Sequence, residues 1–218
     1  LTLNTQPLML TAGVAVYRAW VRAGGRVPSV LAGHSLGEYS AWVASGALAF
    51  RDALPLVRLR AQAMQDAVPV GTGAMAAILG LPDETVRAAC AEAAQDEVVE
   101  AVNFNAPAQI VIAGHRTAVE RAAAIARTKG AKRALLLPVS APFHSSLLAP
   151  AGERLAQALA RIELTVPQIP VVNNVDAAQV SSPQEIRSAL ARQACMPVLW
   201  VESVRRIALF PVRHIIEC

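Results

Sequence analysis

The stretch Val30-Leu31-Ala32-Gly33-His34-Ser35-Leu36-Gly37-Glu38-Tyr39-Ser40 constrains this chain more than any other. Three apolar residues read as a strand, Gly-x-Ser-x-Gly follows, and the run from Leu36 to Ser45 favours helix until Gly46 stops it. A strand that passes into a helix through so short a turn is a nucleophile elbow. It lifts the Ser35 hydroxyl to the edge of the sheet, and glycine is expected at 33 and 37 because the turn leaves no room for a side chain on either flank. The helix starts beside that hydroxyl. Its first backbone N–H groups, beginning with Leu36, aim at an oxyanion formed on a carbonyl that Ser35 attacks. The pattern also fits an ordinary turn, so its context must decide.

Composition narrows the context. With 218 residues, 54% hydrophobic and 17% charged, the chain buries a substantial core. No apolar run reaches the roughly 20 residues of a membrane-spanning helix. The start, Leu1-Thr2-Leu3-Asn4, lacks the basic end and apolar centre of a signal peptide, so a cytoplasmic protein is expected, with no membrane partner. Cys90, Cys195 and Cys218 have no Cys-x-x-Cys spacing, which predicts neither a disulfide framework nor a metal site. The net charge of +4 comes mostly from scattered arginines, with Lys129-Gly130-Ala131-Lys132-Arg133 the one cluster. Aromatics make up only 4%, so the stacking residues of a nucleic-acid binder are missing. Such a surface suits an acidic protein or phosphates, or is simply solvated. The first residue is not Met, and Cys218 follows directly on a strand-like run, Val212 to Ile216, so the chain is expected to be a piece of a longer protein. A monomer is the default expectation.

Along the chain, Thr5 is expected to cap a first helix that tolerates Pro7 in its first turn and stops at Gly24-Gly25. Asp52 is expected to cap a third, running to about Ala67. At roughly 100° per residue, that helix puts Arg58, Gln62, Gln65 and Asp66 on one side and Leu54, Leu56, Val57, Ala61, Met64, Ala67 and Val68 on the other. Arg60 falls among the apolar group. Either it snorkels to a structural carboxylate, or its guanidinium sits in a partly dry pocket to meet a carboxylate arriving with substrate. From Gly73 the pattern becomes strand 74–79, helix 82–94, strands 98–103 and 108–113, helix 117–128 and strand 134–137, a ferredoxin-like order. Thereafter come a helix at 150–160, a strand at 169–173, and a helix opened by the capping box Ser182-Pro183-Gln184-Glu185. The expected fold class is α/β. An α/β-hydrolase-like large subdomain with a parallel sheet and nucleophile elbow (1–70 and 137–218) carries an inserted ferredoxin-like small subdomain (71–136).

A nucleophilic serine needs a base. His34 adjoins Ser35 but diverges across the elbow, and is expected to shape the turn or line the site. His115, at a helix start, reads as exposed, and His214, in a terminal strand-like run, as structural. His144 ends the loop Val139-Ser140-Ala141-Pro142-Phe143 after a buried strand, where α/β folds carry chemistry.

These residues resemble the malonyl-CoA:acyl carrier protein transacylases of fatty acid synthesis and the related acyltransferase domains of polyketide synthases. The resemblance runs over nearly the whole chain. It rests on Gly33-His34-Ser35-Leu36-Gly37-Glu38-Tyr39-Ser40-Ala41, Arg60 with Met64-Gln65, Gly71 to Ala76, Val102-Asn103-Phe104-Asn105, Val111 to His115, the loop to His144, Pro170 to Val175, and Gln193 with Pro197-Val198 and Trp200. It implies Ser35 as nucleophile, His144 as base, the Leu36 N–H as oxyanion donor, Arg60 as binder of the substrate carboxylate, and a main-chain carbonyl near Gln193 as the group orienting the imidazole. His34, Met64, Asn105 and Phe143 are expected in the substrate cleft, with Phe143 resembling the malonyl-type rather than methylmalonyl-type loop. The implied substrate is malonyl-CoA, the acceptor the phosphopantetheine thiol of acyl carrier protein, and no cofactor or metal is needed. Relatives carry a leading strand with a Gly-Gln-Gly-Ser loop and a later Gly-Pro-Gly segment that this sequence lacks. Three readings stand beside free-standing transacylase: a polyketide synthase acyltransferase domain, an α/β-hydrolase-type thioesterase, and an inactive fragment that only binds.

Overall fold

The apolar spacing and its punctuation set the order of elements: α1 (Thr2–Arg22), β1 (Leu31–Ala32), α2 (Leu36–Ala44), α3 (Phe50–Asp66), β2 (Gly73–Leu79), α4 (Asp83–Ala94), β3 (Val99–Ala106), β4 (Gln109–His115), α5 (Arg116–Thr128), β5 (Arg133–Leu136), α6 (Ala149–Leu159), β6 (Val171–Val172), α7 (Pro183–Gln193) and α8 (Trp200–Ile207). The computed structural model describes residues 2–139 and 141–218, so Ser140, in the loop leading to His144, lies outside the described residues. The chain divides into two compact units. One comprises Leu1–Gln62, Leu155–Ala191 and Glu202–Cys218, the other Ala63–Arg154 and Arg192–Val201.

In the first unit β1 and β6 pair in parallel, with Leu31 opposite Val171 and Ala32 opposite Val172. The Leu31 N–H also donates to the Pro170 carbonyl at 2.8 Å. Because the strands run the same way, the residues that follow each emerge at the same end: Gly33 to Ser35 after β1, Asn173 and Asn174 after β6. Against them α2 buries Tyr39 and Trp42 completely, and α1, which lies beside α2, buries Leu10. The capping box ahead of α7 forms as read: the Ser182 hydroxyl accepts from Glu185 N–H at 3.2 Å and the Glu185 carboxylate from Ser182 N–H at 3.0 Å.

The second unit is built on an antiparallel sheet in the order β3-β4-β2-β5. Alternation along the strands separates two faces. Ala74, Ala76, Ile78, Ile110 and Ile112 meet Val86 and Cys90 of α4 and Val119 and Ala122 of α5. Met75, Val102, Val111 and Ala113 form a second cluster with Leu137, Val139 and Phe143. A bulge between Ala101 and Asn103 re-phases β3, so that Phe104 returns to the helix-covered face. The outer edge of β3 does not stay open. Phe104 N–H donates to Val198 O at 3.0 Å and Val198 N–H to Val102 O at 2.8 Å, which is why residues 192–201 belong to this unit. A parallel pair in one unit and a helix-covered antiparallel sheet in the other make the fold mixed α/β. No described helix is long and apolar enough to cross a membrane.

Several expectations are corrected. The first helix begins at Thr2, not at a Thr5 cap, and Asp52 lies inside the first turn of α3, its N–H donating to Ala49 O at 3.0 Å. Val212 to Ile216 forms no strand, and Ile215 is 81% exposed. The run is strand-like in composition, but a strand exists only where a neighbour takes its backbone bonds. His214 in that run is exposed rather than structural. His115, the last residue of β4, is half-buried and accepts Val98 N–H at Nδ1, 2.9 Å.

The helix-covered face dominates the second unit's stability. Ile112→Ala, at a site only 1% exposed, is expected to cost about 2–5 kcal/mol in urea unfolding. Leu135→Ala, 53% exposed on the edge strand, should stay within about 0.5 kcal/mol.

Candidate active site

Ser35 adopts φ 52° and ψ −107°, a conformation that a residue with a Cβ takes only under constraint, at a cost of roughly 1–3 kcal/mol. Its constraint is visible. Gly37 N–H donates to His34 O at 2.9 Å and Glu38 N–H to Ser35 O at 3.1 Å, closing the turn into α2. Across from them the Asn174 carboxamide accepts Ser35 N–H at Oδ1, 2.7 Å, and donates from Nδ2 to Gly33 O, 2.8 Å. Asn174 is held in turn by the Glu38 carboxylate, which accepts Asn174 N–H at 3.0 Å and Trp42 Nε1–H at 3.1 Å. Glu38 and Asn174 are both completely buried. Although Ser35 is the N-cap of α2, its hydroxyl makes no cap bond to the helix. Leu36 supplies the first N–H of α2, one of the groups an α-helix cannot satisfy from within.

The two flanking glycines turn out unequal. A Cβ at Gly33 would stand 2.0 Å from the carbonyl carbon and oxygen of Gly37, whereas a Cβ at Gly37 meets nothing within 4 Å. Only the first glycine is demanded by space, which corrects the expectation that both are.

Arg60 is 2% exposed on α3. Its Nη1 donates to Gln6 Oε1 at 2.8 Å and its Nη2 to Ser35 Oγ at 3.0 Å, while the guanidinium carbon lies 5.4 Å from the centre of the Tyr39 ring. Burial rules out the snorkelling reading: the guanidinium stays inside, beside Gln6, Ser35 and Tyr39 and under the influence of the buried Glu38 carboxylate. Burial pulls its pKa down, yet an arginine keeps its charge. Burial likewise pushes the Tyr39 hydroxyl up to about 12, against the lowering influence of the neighbouring Arg60 charge. The unit therefore places a desolvated cation within hydrogen-bond reach of a serine hydroxyl.

In the other unit, His144 is 5% exposed and takes φ 65°. The loop is pinned around it: the Ser145 hydroxyl donates to Pro142 O at 2.7 Å, and Ser146 N–H donates to the Glu100 carboxylate at 2.8 Å. His144 Nδ1 lies 2.8 Å from Gln193 O. A carbonyl can only accept, so Nδ1 carries the proton and Nε2 of the neutral ring is left as the basic nitrogen. Gln193 reaches this point because the segment after α7 joins the edge of β3.

The remaining predicted residues are placed as follows. His34 is exposed on the elbow and Leu36 is buried behind it, both in the unit of Ser35 and Arg60. Met64 is buried on α3, Asn105 is half-buried near the end of β3, and Phe143 packs against the Met75 and Val102 cluster, all in the unit of His144. Sequence reasoning missed Asn174, Glu38 and Gln6. Glu38 and Asn174 stood within motifs of the resemblance without an assigned role, and Asn174 lies 139 positions from the amide it binds, so no local pattern linked them. Among the described residues no three His, Cys, Asp or Glu gather as a metal site. A cavity of about 630 Å³ lined by Val14, Arg18, Arg22 and Phe50 contains none of these residues.

The family model described as the acyl transferase domain matches residues 2–214. The chain is 54% identical over 216 residues to the malonyl CoA-acyl carrier protein transacylase of Escherichia coli (strain K12), covering 99% of this chain and 70% of that protein. Its fold is similar, at TM-score 0.94 and 67% identity, to the acyl-carrier-protein S-malonyltransferase of Burkholderia pseudomallei 1710b, over 96% of this chain and 68% of that one. A malonyl-transacylase solved in complex with a type II PKS acyl-carrier protein is 52% identical, with TM-score 0.94, over 95% of this chain and 67% of that one.

The unequal glycines give a direct check. Gly33→Ala forces the elbow apart and should lower stability by about 1–3 kcal/mol or more. Gly37→Ala has open space and a helical backbone, so its melting temperature should match or exceed the parent's, by up to about 1 kcal/mol in stability. Thermal unfolding of both variants by circular dichroism reads out the difference.

Proposed function

Because this chain belongs to the acyl transferase domain family, we propose that it moves a malonyl group from malonyl-CoA to the phosphopantetheine thiol of an acyl carrier protein, through a malonyl ester on Ser35. The observation that carries the reading is the 3.0 Å contact between Arg60 Nη2 and Ser35 Oγ: a nucleophile and a buried cation stand side by side, as a carboxylated acyl group requires.

In the first half-reaction His144 Nε2 takes the Ser35 proton while Oγ attacks the thioester carbonyl. The Leu36 N–H stabilises the resulting oxyanion. The tetrahedral species expels the coenzyme A sulfur, which leaves with the proton from His144. In the second half, His144 takes the proton of the carrier thiol, the sulfur attacks the malonyl ester, and Ser35 departs and recovers its proton. The Gln193 carbonyl fixes the tautomer. A thioester is a reactive donor, so an imidazole oriented by a neutral carbonyl is sufficient base.

Arg60 pairs with the malonyl carboxylate and selects it over acetyl. The family resemblance assigns His34, Met64, Asn105 and Phe143 to binding the rest of the acyl group, with Phe143 disfavouring the extra methyl of methylmalonyl. The similarity to malonyl CoA-acyl carrier protein transacylases and to a malonyl-transacylase solved with its carrier supports both donor and acceptor. A polyketide carrier is served by the same chemistry. The fold reading goes with it: an α/β-hydrolase-like unit around Ser35, and a ferredoxin-like unit in which the strand order β3-β4-β2-β5 follows the β-α-β-β-α-β connectivity. A cytoplasmic monomer without cofactor, metal, nucleic acid or membrane completes it.

Intact mass after brief mixing with malonyl-CoA tests the ester. The chain should gain one malonyl group and Ser35→Ala none; an unmodified parent chain sinks the reading. In the presence of carrier protein, transfer should outpace release of free malonate; the reverse order makes the chain a thioesterase. Stranding a buried charge costs about 3–5 kcal/mol, so Arg60→Ala should lower the malonyl-to-acetyl preference by about a hundredfold or more.

A further inference from the structure

Ser35-Leu36-Gly37-Glu38 has the spacing of a capping box, in which the serine hydroxyl bonds the third helical N–H and the glutamate reaches back to the serine N–H. The structure diverts both halves. Ser35 Oγ makes no cap bond and meets Arg60 instead, while the Glu38 carboxylate binds Asn174 N–H and Trp42 Nε1–H. The serine N–H that a capping glutamate satisfies is taken by Asn174 Oδ1 at 2.7 Å, and the other end of the same carboxamide holds Gly33 O at 2.8 Å.

We infer that Asn174 is a positioning residue of the reaction: its carboxamide braces the elbow from both sides of Ser35, replaces the capping box, and so keeps Oγ turned away from the helix N-terminus, toward Arg60. The inference rests on Ser35 being the nucleophile of the preceding section. Three features of the geometry support it. The brace spans Gly33 to Ser35, so it acts on the backbone whose φ of 52° aims the hydroxyl. It needs an acceptor and a donor on one short side chain, a pair that asparagine has and aspartate, ionised, does not. And it is itself immobilised, since Asn174 is fully buried and its own N–H is bound to a fully buried carboxylate. Without the brace, Ser35 can relax toward an ordinary N-cap and spend Oγ on the helix.

The test is the rate of Ser35 acylation by malonyl-CoA, followed by quenched-flow intact mass, for the parent chain, Asn174→Asp and Asn174→Ala across pH 5.5 to 8.5. At pH 8 both variants should acylate about a hundredfold slower, the scale of an ångström-sized misplacement, with KM changed less than about threefold. The pH profile separates bracing from mere packing. Protonated, the introduced carboxyl again offers a carbonyl oxygen to Ser35 N–H and a hydroxyl proton to Gly33 O. Its burial and the adjoining Glu38 carboxylate favour that form, and the Arg60 charge that reaches Ser35 opposes it. The ratio of Asn174→Asp to parent should therefore rise at least tenfold as pH falls, while that of Asn174→Ala stays flat. If Asn174→Ala does not fold, the Asn174→Asp ratio decides alone. A ratio independent of pH, or rates within threefold of the parent throughout, overturns the brace but leaves Ser35 as nucleophile. No acylation of the parent chain overturns both.

Discussion

Two rungs of parallel pairing, Leu31 with Val171 and Ala32 with Val172, carry the organisation of the unit around Ser35. Parallel strands end together, so the register decides which residue after β6 faces the elbow after β1. A slip of one residue would present Asn173, whose carboxamide is engaged with Ala178 O and Asp176 N–H, in place of Asn174. The same pairing fixes where α2 starts, and with it the direction of the Leu36 N–H and the depth at which Tyr39 and Trp42 are buried. The strained serine is sustained because the rungs, the carboxamide and the first turn of α2 over-determine its conformation.

How much of this could be read from the residues follows the range of the interaction. The strands and helices from Gly73 to Leu136 were legible to within three residues at their ends, because strand alternation and helix amphipathicity are local patterns: Met75 against Ala74 and Ala76, Val119 and Ala122 against Arg121. The unit also takes in Ala63 to Thr72, Leu137 to Arg154 and Arg192 to Val201, beyond the expected 71–136 save for Gly71 and Thr72, and no local pattern marked that. Helix starts were less legible. Thr5 and Asp52 can cap, but nothing in Leu3-Asn4 or Phe50-Arg51 prevents the helix from beginning earlier. The elbow's supports were not legible at all, since the bonds from Glu38 and Ser35 to Asn174 span 136 and 139 positions and that from Arg60 to Gln6 spans 54. Arg60 stood out only because a charged residue on an apolar helix face breaks the pattern. Glu38, in a short helix with few polar neighbours for contrast, broke nothing visible.

On the proposed function, the buried residues around Ser35 let selection and chemistry share one site. Desolvating Arg60 is a cost met when the chain folds, by the Gln6 carbonyl, the Tyr39 ring and the Ser35 hydroxyl. A carboxylate that arrives afterwards meets a cation already stripped of water and held in position, so most of its attraction is retained as binding rather than spent on reorganisation. An uncharged acyl group of the same size offers the guanidinium nothing in return. Because the guanidinium touches the nucleophile itself, the distance from the bound carboxylate to the reacting carbonyl is set by the acyl chain, and a malonyl group spans it with one methylene. In the proposed reaction, chain length and charge are thus read together at Oγ, where the ester would form.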